Sequence, residues 1–256
     1  MFEIHESANL GFSAGANTYA LGRPGYPPDI VDWLRIRLGL EKGKTVLDLG
    51  SGTGKFLARL KQTGADITAV EPVVAMRDVL VANHPDVHAL AGAAEAIPVS
   101  DASMDAVVSA QAFHWFANER TLGEIHRVLK PGGSLGLIWN VREESVDWVA
   151  ALTRIIAPYE NSVPRYHTGL WRNVFPARGF SVLREQRFQH QHVGRPEEVI
   201  LDRILSVSFI AALPDAERQK VADQVRQVIE SDPVIANQDQ VAFPYKTVAF
   251  DCVRVD

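Results

Sequence analysis

Cysteine is almost absent from these 256 residues; Cys252 is the only one. That excludes an intramolecular disulfide framework and a multi-cysteine zinc site. No apolar run approaches the length of a membrane span. An excess of positive charge is also missing, since 26 Lys and Arg face 31 Asp and Glu for a net charge of −5. A mildly acidic chain is not attracted broadly to nucleic acid or anionic lipid, so neither is expected as a partner. The start, Met1-Phe-Glu-Ile-His-Glu, has no basic region and no apolar region, so no signal peptide and a cytoplasmic location are expected. Repeats and low-complexity tracts are absent too. One domain handling a small molecule, as a monomer or homodimer, is the expectation that remains.

What is present alternates. Residues 1–28 are rich in Gly, Ala, Pro and aromatics, and Asp29 is placed to cap a helix containing Ile30, Val31, Trp33, Leu34 and Leu38. Short apolar runs at 45–49, 66–70, 87–90, 105–109 and 134–139 read as strands. Helical spacing lies between them at roughly 53–62, 73–83 and 118–129, the last stopped by Lys130-Pro-Gly-Gly133. This pattern predicts an α/β, doubly wound, mostly parallel sheet. A sixth strand over 180–191 and a last one near the end would make it seven-stranded. Helices are expected over 141–178, 196–212 and 214–231. The division is an arm and helix (1–43), a ligand-binding core (44–140), a helical cover over the active site (141–178 and 196–231) and a final strand (244–256).

The strongest local signal is Val46-Leu-Asp-Leu-Gly-Ser-Gly-Thr-Gly54. A buried strand runs into three glycines at alternate positions, where the backbone turns sharply and a ligand approaches without a Cβ in the way. Thr53 is placed to cap the following helix. The dinucleotide fingerprint would put a third glycine where Lys55 stands, for a pyrophosphate. Asp48 lies two residues before the first glycine and suits a cationic ammonium better. Glu71 follows Gly50 by 21 residues, at the end of the second strand, where a carboxylate accepts from both hydroxyls of a ribose. A nucleoside with an amino-acid-like tail and no phosphates fits this set, and S-adenosylmethionine is such a molecule.

Five runs from Val46 to Asn140 together resemble the class I S-adenosylmethionine-dependent methyltransferases, in particular the small-molecule group called type 11. They are the glycine turn, Ala69-Val-Glu-Pro72 with Met76, Ala91-Gly-Ala-Ala-Glu-Ala-Ile-Pro98, Asp105 to Phe116, and Glu124-Ile-His-Arg-Val-Leu-Lys-Pro-Gly-Gly133. Tyr19-Ala-Leu-Gly-Arg-Pro-Gly-Tyr-Pro27 and Phe243-Pro-Tyr-Lys-Thr247 are similar to a subgroup that includes trans-aconitate-type enzymes.

The resemblance implies a Rossmann-like fold and a role for each matching residue. Gly50, Ser51, Gly52, Thr53 and Gly54 would meet the methionine part of the cofactor, with Asp48 near its ammonium and Glu71 on its ribose. Pro72 and Met76 would pack near the adenosine. Ala94 and Glu95 would lie beside adenine, which their backbone N–H groups would read because Ala93 has no polar side chain. Arg23 would clamp the cofactor carboxylate, since a guanidinium matches it with two donors. Tyr19 and Tyr26 would form a lid. Gln111 and Ala112 would border the cofactor, and His114 and Trp115 would point toward the acceptor. Asn140 would orient that acceptor.

Methyl transfer from a sulfonium is an in-line displacement that needs alignment and exclusion of water, and no metal. A hydroxyl or protonated amine acceptor must lose a proton, and His114 is the expected base. A carboxylate needs no base but wants a cation, such as Arg142 or Arg165. The closest histidine pair, His190 and His192, is expected to face solvent. The competing classes are a cofactor-binding protein without transfer activity and a nicotinamide-dependent oxidoreductase.

Overall fold

The computed structural model describes residues 23–160 and 164–255. Seven strands form one sheet: β1 (Thr45–Leu49), β2 (Asp66–Val70), β3 (His88–Leu90), β4 (Met104–Ala110), β5 (Leu129–Arg142), β6 (Arg184–Gly194) and β7 (Val241–Val253). Their order is β3-β2-β1-β4-β5-β7-β6. β1 to β5 run parallel, whereas β7 is antiparallel to both β5 and β6. The fold is therefore the doubly wound, mostly parallel Rossmann-like sheet expected. The chain leaves β1 toward β2 and β3, then returns to the other side through β4. That reversal opens a crevice beyond the carboxyl ends of β1 and β4.

Alternation along the strands sorts the core into two faces. Leu47, Leu49, Val107, Leu135, Leu137 and Trp139 pack on one side, under α4 (Glu119–Val128). Val46, Ala69, Ala106, Val108 and Ile138 pack on the other. That face is covered by α1 (Ile30–Leu38), α2 (Leu57–Leu60) and the buried side of α3 (Val74–Asn83). A third apolar cluster joins α5 (Asp147–Ile156), α6 (Asp215–Ser231) and the start of β7.

The departures from expectation have local causes. Asp29 does not cap α1 with its side chain. The helix expected from residue 53 begins at Leu57, because Gly54 is left-handed with φ 84°, and Thr53 caps nothing. Among the described residues of 141–178 there is one α-helix, α5, followed by isolated 3-10 turns; Pro158, Pro164 and left-handed Gly169 interrupt the helical pattern. The helix expected over 196–212 is a π-helical turn (Glu197–Asp202) and two short helices (Arg203–Leu205 and Ser208–Ala211), broken at extended Val207. Lys130-Pro-Gly-Gly133 does not end the ordered backbone: α4 stops at Val128 and these residues already run within β5. β6 starts four residues and ends three residues later than expected, and β7 starts and ends three residues earlier, because the two pair with each other from Arg184–Asp251 to Gly194–Val241.

Candidate active site: two cavities at the strand ends

A cleft of about 1250 Å³, including its open mouth, lies at the switch point. It is lined from short runs. Asp48 lies near the end of β1, Gly50 to Thr53 follow it, and Glu71, Pro72 and Met76 follow β2. Ala94 and Glu95 follow β3, and Gln111 and Ala112 follow β4. Arg23 closes it from the arm. Of the residues expected at a cofactor, only Gly54 is outside. Gly54 turns away and packs on the ring of His84, which an added Cβ would meet at 2.7 Å.

Asp48 breaks the apolar row Val46–Asp48 on the α1-covered face. It is 1% exposed, and neither carboxylate oxygen has a hydrogen-bond donor among the described residues. Burial, helped by the charge of Glu71, pushes its pKa up to about 7. Glu71 is also buried, and burial raises its pKa, though backbone N–H groups oppose this. Its Oε2 accepts from Gly52 N–H at 2.8 Å and its Oε1 from Val73 N–H at 2.9 Å. Each oxygen keeps a further lone pair.

Two glycines make the turn between these acids. Gly50 has φ 72°, and a Cβ there would lie 2.7 Å from Ala112 Cβ and 3.2 Å from the Phe116 ring. Gly52 has φ 57°, but its Cβ direction opens toward the cleft, with Met76 Sδ the only atom near, at 3.9 Å. Gln111 is left-handed at φ 61°, which costs about 1 kcal/mol in a non-glycine residue. Its N–H donates to Ile138 O at 2.8 Å and its Nε2 to Asn140 O at 3.1 Å. Glu95 lines the cleft while its Oε1 accepts from Asn118 Nδ2 at 3.0 Å.

A second cavity of about 750 Å³ shares Arg23, Gln111, Trp115 and Arg203 with the first. It is also lined by His114, Asn140, Arg142, Glu144, Arg165, Tyr166, His167 and Ser208. His114, Trp115 and Asn140, expected on the acceptor side, therefore come together here. Two of them do something other than expected. The Asn140 amide is already engaged, donating to Gly25 O at 2.7 Å and accepting from Thr247 Oγ1 at 2.6 Å, so it ties the arm to β7. His114 Nδ1 accepts from the indole N–H of Trp139 at 3.1 Å. Trp139 is fully buried, 4.5 Å from the Trp171 ring and 5.0 Å from Tyr166. An indole only donates, so Nδ1 must keep its lone pair for it and the proton sits on Nε2. Burial first, and then Arg165, Arg23 and His167, lower the His114 pKa to about 3. The ring is neutral, its lone pair is spent, and it cannot take a proton as the expected base.

The arm is held by several backbone acceptors. Lys55 Nζ donates to Arg23 O at 2.8 Å, and Arg59 donates through two nitrogens to Tyr26 O. Arg23 Nη2 donates to Ser206 O at 2.9 Å. Tyr26 is buried against Phe56 and lines the first cleft; Tyr19 lies outside the described residues. The expectation that His190 and His192 face solvent fails. They do share a face, but both are half-buried, and burial lowers the pKa of each, that of His192 to about 4. Among the described residues no group of three His, Cys, Asp or Glu could hold a metal, and no helix is long and apolar enough to cross a membrane.

Sequence reasoning missed Arg203, which is 7% exposed and lines both cavities. A signal was available. Val199, Ile200, Ile204 and Val207 mark the buried side of that segment, and Arg203 lies on it by helical spacing.

The fold is a Rossmann-like sheet with a glycine turn at the switch point, a buried acid at the end of β1 and another just after β2. Residues 47–137 match the family model described as a methyltransferase domain. An uncharacterized methyltransferase-like protein of Schizosaccharomyces pombe is 38% identical over 93% of this chain and 93% of its own length. An uncharacterized methyltransferase of Mycobacterium bovis is 40% identical, with coverage of 96% and 95%. The chain belongs to this methyltransferase family. Among solved structures, Haemonchus contortus phosphoethanolamine N-methyltransferase 2, in complex with phosphomonomethylethanolamine and S-adenosylhomocysteine, shares the fold. Its TM-score is 0.58 at 14% identity, covering 100% of this chain and 61% of that one.

Proposed function

We propose that the chain transfers a methyl group from S-adenosylmethionine to a small-molecule acceptor, leaving S-adenosylhomocysteine. The observation that carries this reading is the pair of buried acids flanking the open glycine turn. A cofactor with an ammonium at one end and a ribose in the middle satisfies both. Asp48 has two orphaned oxygens for the ammonium. Glu71 has one spare lone pair on each oxygen for two ribose hydroxyls. The backbone at Gly52 leaves room for the methionine part. The nematode enzyme of the same fold holds S-adenosylhomocysteine, which supports the fit.

When bound, the cofactor supplies a methyl group already activated on a positive sulfur. The chain's own residues align and shield. Pro72, Met76, Ala94 and Glu95, which line the cleft, would hold the adenosine, and Gln111 and Ala112 would border the methyl-donating end. Arg23, tied to Ser206, faces the carboxylate end. The acceptor occupies the second cavity, so 141–178 and 196–231 act as its cover. There the neutral His114 presents Nε2–H as a donor, and Trp115 walls the boundary between donor and acceptor. An acceptor that is already a nucleophile at neutral pH suits this site, because His114 offers no base.

The test is a calorimetric titration with S-adenosylhomocysteine, with NADH in parallel. Saturable binding of the first alone is expected. Glu71→Ala should weaken it at least about a hundredfold, the equivalent of losing two hydrogen bonds to a charged group. Binding of NADH alone would overturn the proposal.

A further inference from the structure

The second cavity holds more positive charge than the fold can use. Arg142 and Arg203 both reach into it. Arg142 Nη1, and Nε and Nη1 of Arg203, are buried and donate to no acceptor among the described residues. Arg165 joins them, its guanidinium 4.9 Å from the Phe209 ring centre and its Nε 3.5 Å from Glu160 Oε1. The same Glu160 oxygen lies 3.1 Å from His167 Nε2, so Arg165 does not have that carboxylate to itself. Among the described residues, the only carboxylate lining the cavity is Glu144, which already accepts from Thr153 Oγ1 at 2.9 Å. Burial and then the neighbouring Arg203 and Arg165 lower the Arg142 pKa to about 10, a sign of how poorly its charge is balanced.

An unpaired buried guanidinium costs several kcal/mol, and apolar side chains of similar size would remove that cost. Packing therefore gives no reason to gather these groups. A ligand does, because an anion with two or more oxygens takes guanidinium donors in pairs. We infer that Arg142, Arg165 and Arg203 form a binding site for an anionic group, a carboxylate or a phosphate, carried by the methyl acceptor. This rests on the reading that the second cavity is the acceptor pocket. Arg203 also lines the cofactor cleft, so the anion is fixed close to the donor. The neutral His114 fits the same ligand, since Nε2–H donates to an anion and its ring never competes for a proton near pH 7.

The experiment titrates the protein, with and without saturating S-adenosylhomocysteine, with succinate, inorganic phosphate and neutral succinamide. Saturable binding of at least one anion and none of succinamide is expected. Succinate alone would identify a carboxylate, and phosphate alone a phosphoryl group. Arg142→Gln and Arg203→Gln should each weaken the anion at least about tenfold, the loss of one charge-assisted hydrogen bond. Arg142 lines only the second cavity, so the affinity of Arg142→Gln for S-adenosylhomocysteine should hold, which also reports that it folds; the folding of Arg203→Gln is read from its denaturation midpoint. If a glutamine variant fails to fold, Arg203→Lys and the wild-type comparison of succinate with succinamide decide. No saturable binding of either anion, equal binding of succinamide, or equal affinity in the folded variants would overturn the inference. Anion binding without S-adenosylhomocysteine binding would leave this site standing and sink the cofactor reading instead.

Discussion

The two cavities share a wall and are assembled in opposite ways. Apart from Arg23, Tyr26, Lys55, Trp115 and Arg203, the first draws its polar groups from 48–53, 71–76, 92–95 and 110–112, four short runs that each lie at or just past the carboxyl end of a parallel strand. The second draws Arg23 from the arm, His114 from a 3-10 turn, Arg142 from β5, Arg165 from the cover and Arg203 from a broken helix. Parallel strands deliver their carboxyl ends to one edge, so a motif after each strand reaches the same crevice whatever the rest of the chain does. No such rule delivers an arginine from residue 203 to one at 142. The first cavity follows from topology plus local motifs, and the second depends on how the cover packs.

The sharpest way to break this contrast is at the glycine turn. Gly50→Val places a side chain at positive φ against Ala112 and Phe116. Strain and overpacking together should cost about 2–5 kcal/mol of stability, read as a lowered denaturation midpoint. Gly52→Val should cost only about 1 kcal/mol of strain, because its Cβ direction is open, yet it should abolish S-adenosylhomocysteine binding. Equal stability losses in the two variants would contradict the geometry of the turn.

A smaller effect comes from Asp48. Its pKa is about 7 folded against 3.8 for the free side chain, so the folded chain holds that proton more tightly. The stabilisation is complete below about pH 4 and is lost as pH rises through 7. Binding runs the other way, since a cationic ammonium needs the ionised carboxylate. S-adenosylhomocysteine affinity should therefore rise between pH 5 and pH 8, and Asp48→Asn should flatten that rise and weaken binding about tenfold at pH 8. The same variant should melt higher than the parent above pH 7. A binding curve that keeps its slope in Asp48→Asn would remove Asp48 from the ammonium.

His114 should give the smallest signal, and it sharpens the second cavity. With its pKa lowered from 6.5 to about 3, its ring should show no titration by nuclear magnetic resonance between pH 5 and pH 8. The sign for stability is the reverse of that for Asp48: the contribution is present above 6.5 and is lost as pH falls toward 3. A ring midpoint near 6.5 would restore His114 as a base.

Much of the fold is legible in the residues. The runs at 45–49 and 66–70 match β1 and β2 to the residue, while β3 at 88–90 differs by one position at its start and β4 at 104–110 by one position at each end. β1 and β4 are buried along most of their length and bounded by turns, so local pattern and burial agree there. Legibility fails where one residue has two options. Gly54 carries the alternate-glycine pattern but faces His84 rather than the cleft. Asn140 ends a strand at the right edge, but its amide is spent on Gly25 and Thr247, 115 and 107 residues away. His114 reads as a base until the indole of Trp139, 25 residues on, takes its lone pair.

The sequence by itself determined the parallel core, the glycine turn, the acids at 48 and 71 and the family they belong to. Each of these rests on neighbours within a few residues, where propensity and pattern act directly. Only the tertiary structure decided which polar atoms are paired and which are left over. Hydrogen bonds and burial join residues far apart in the chain, so the spent lone pair of His114 and the orphaned donors of Arg142 and Arg203 exist only once the cover has closed over β5.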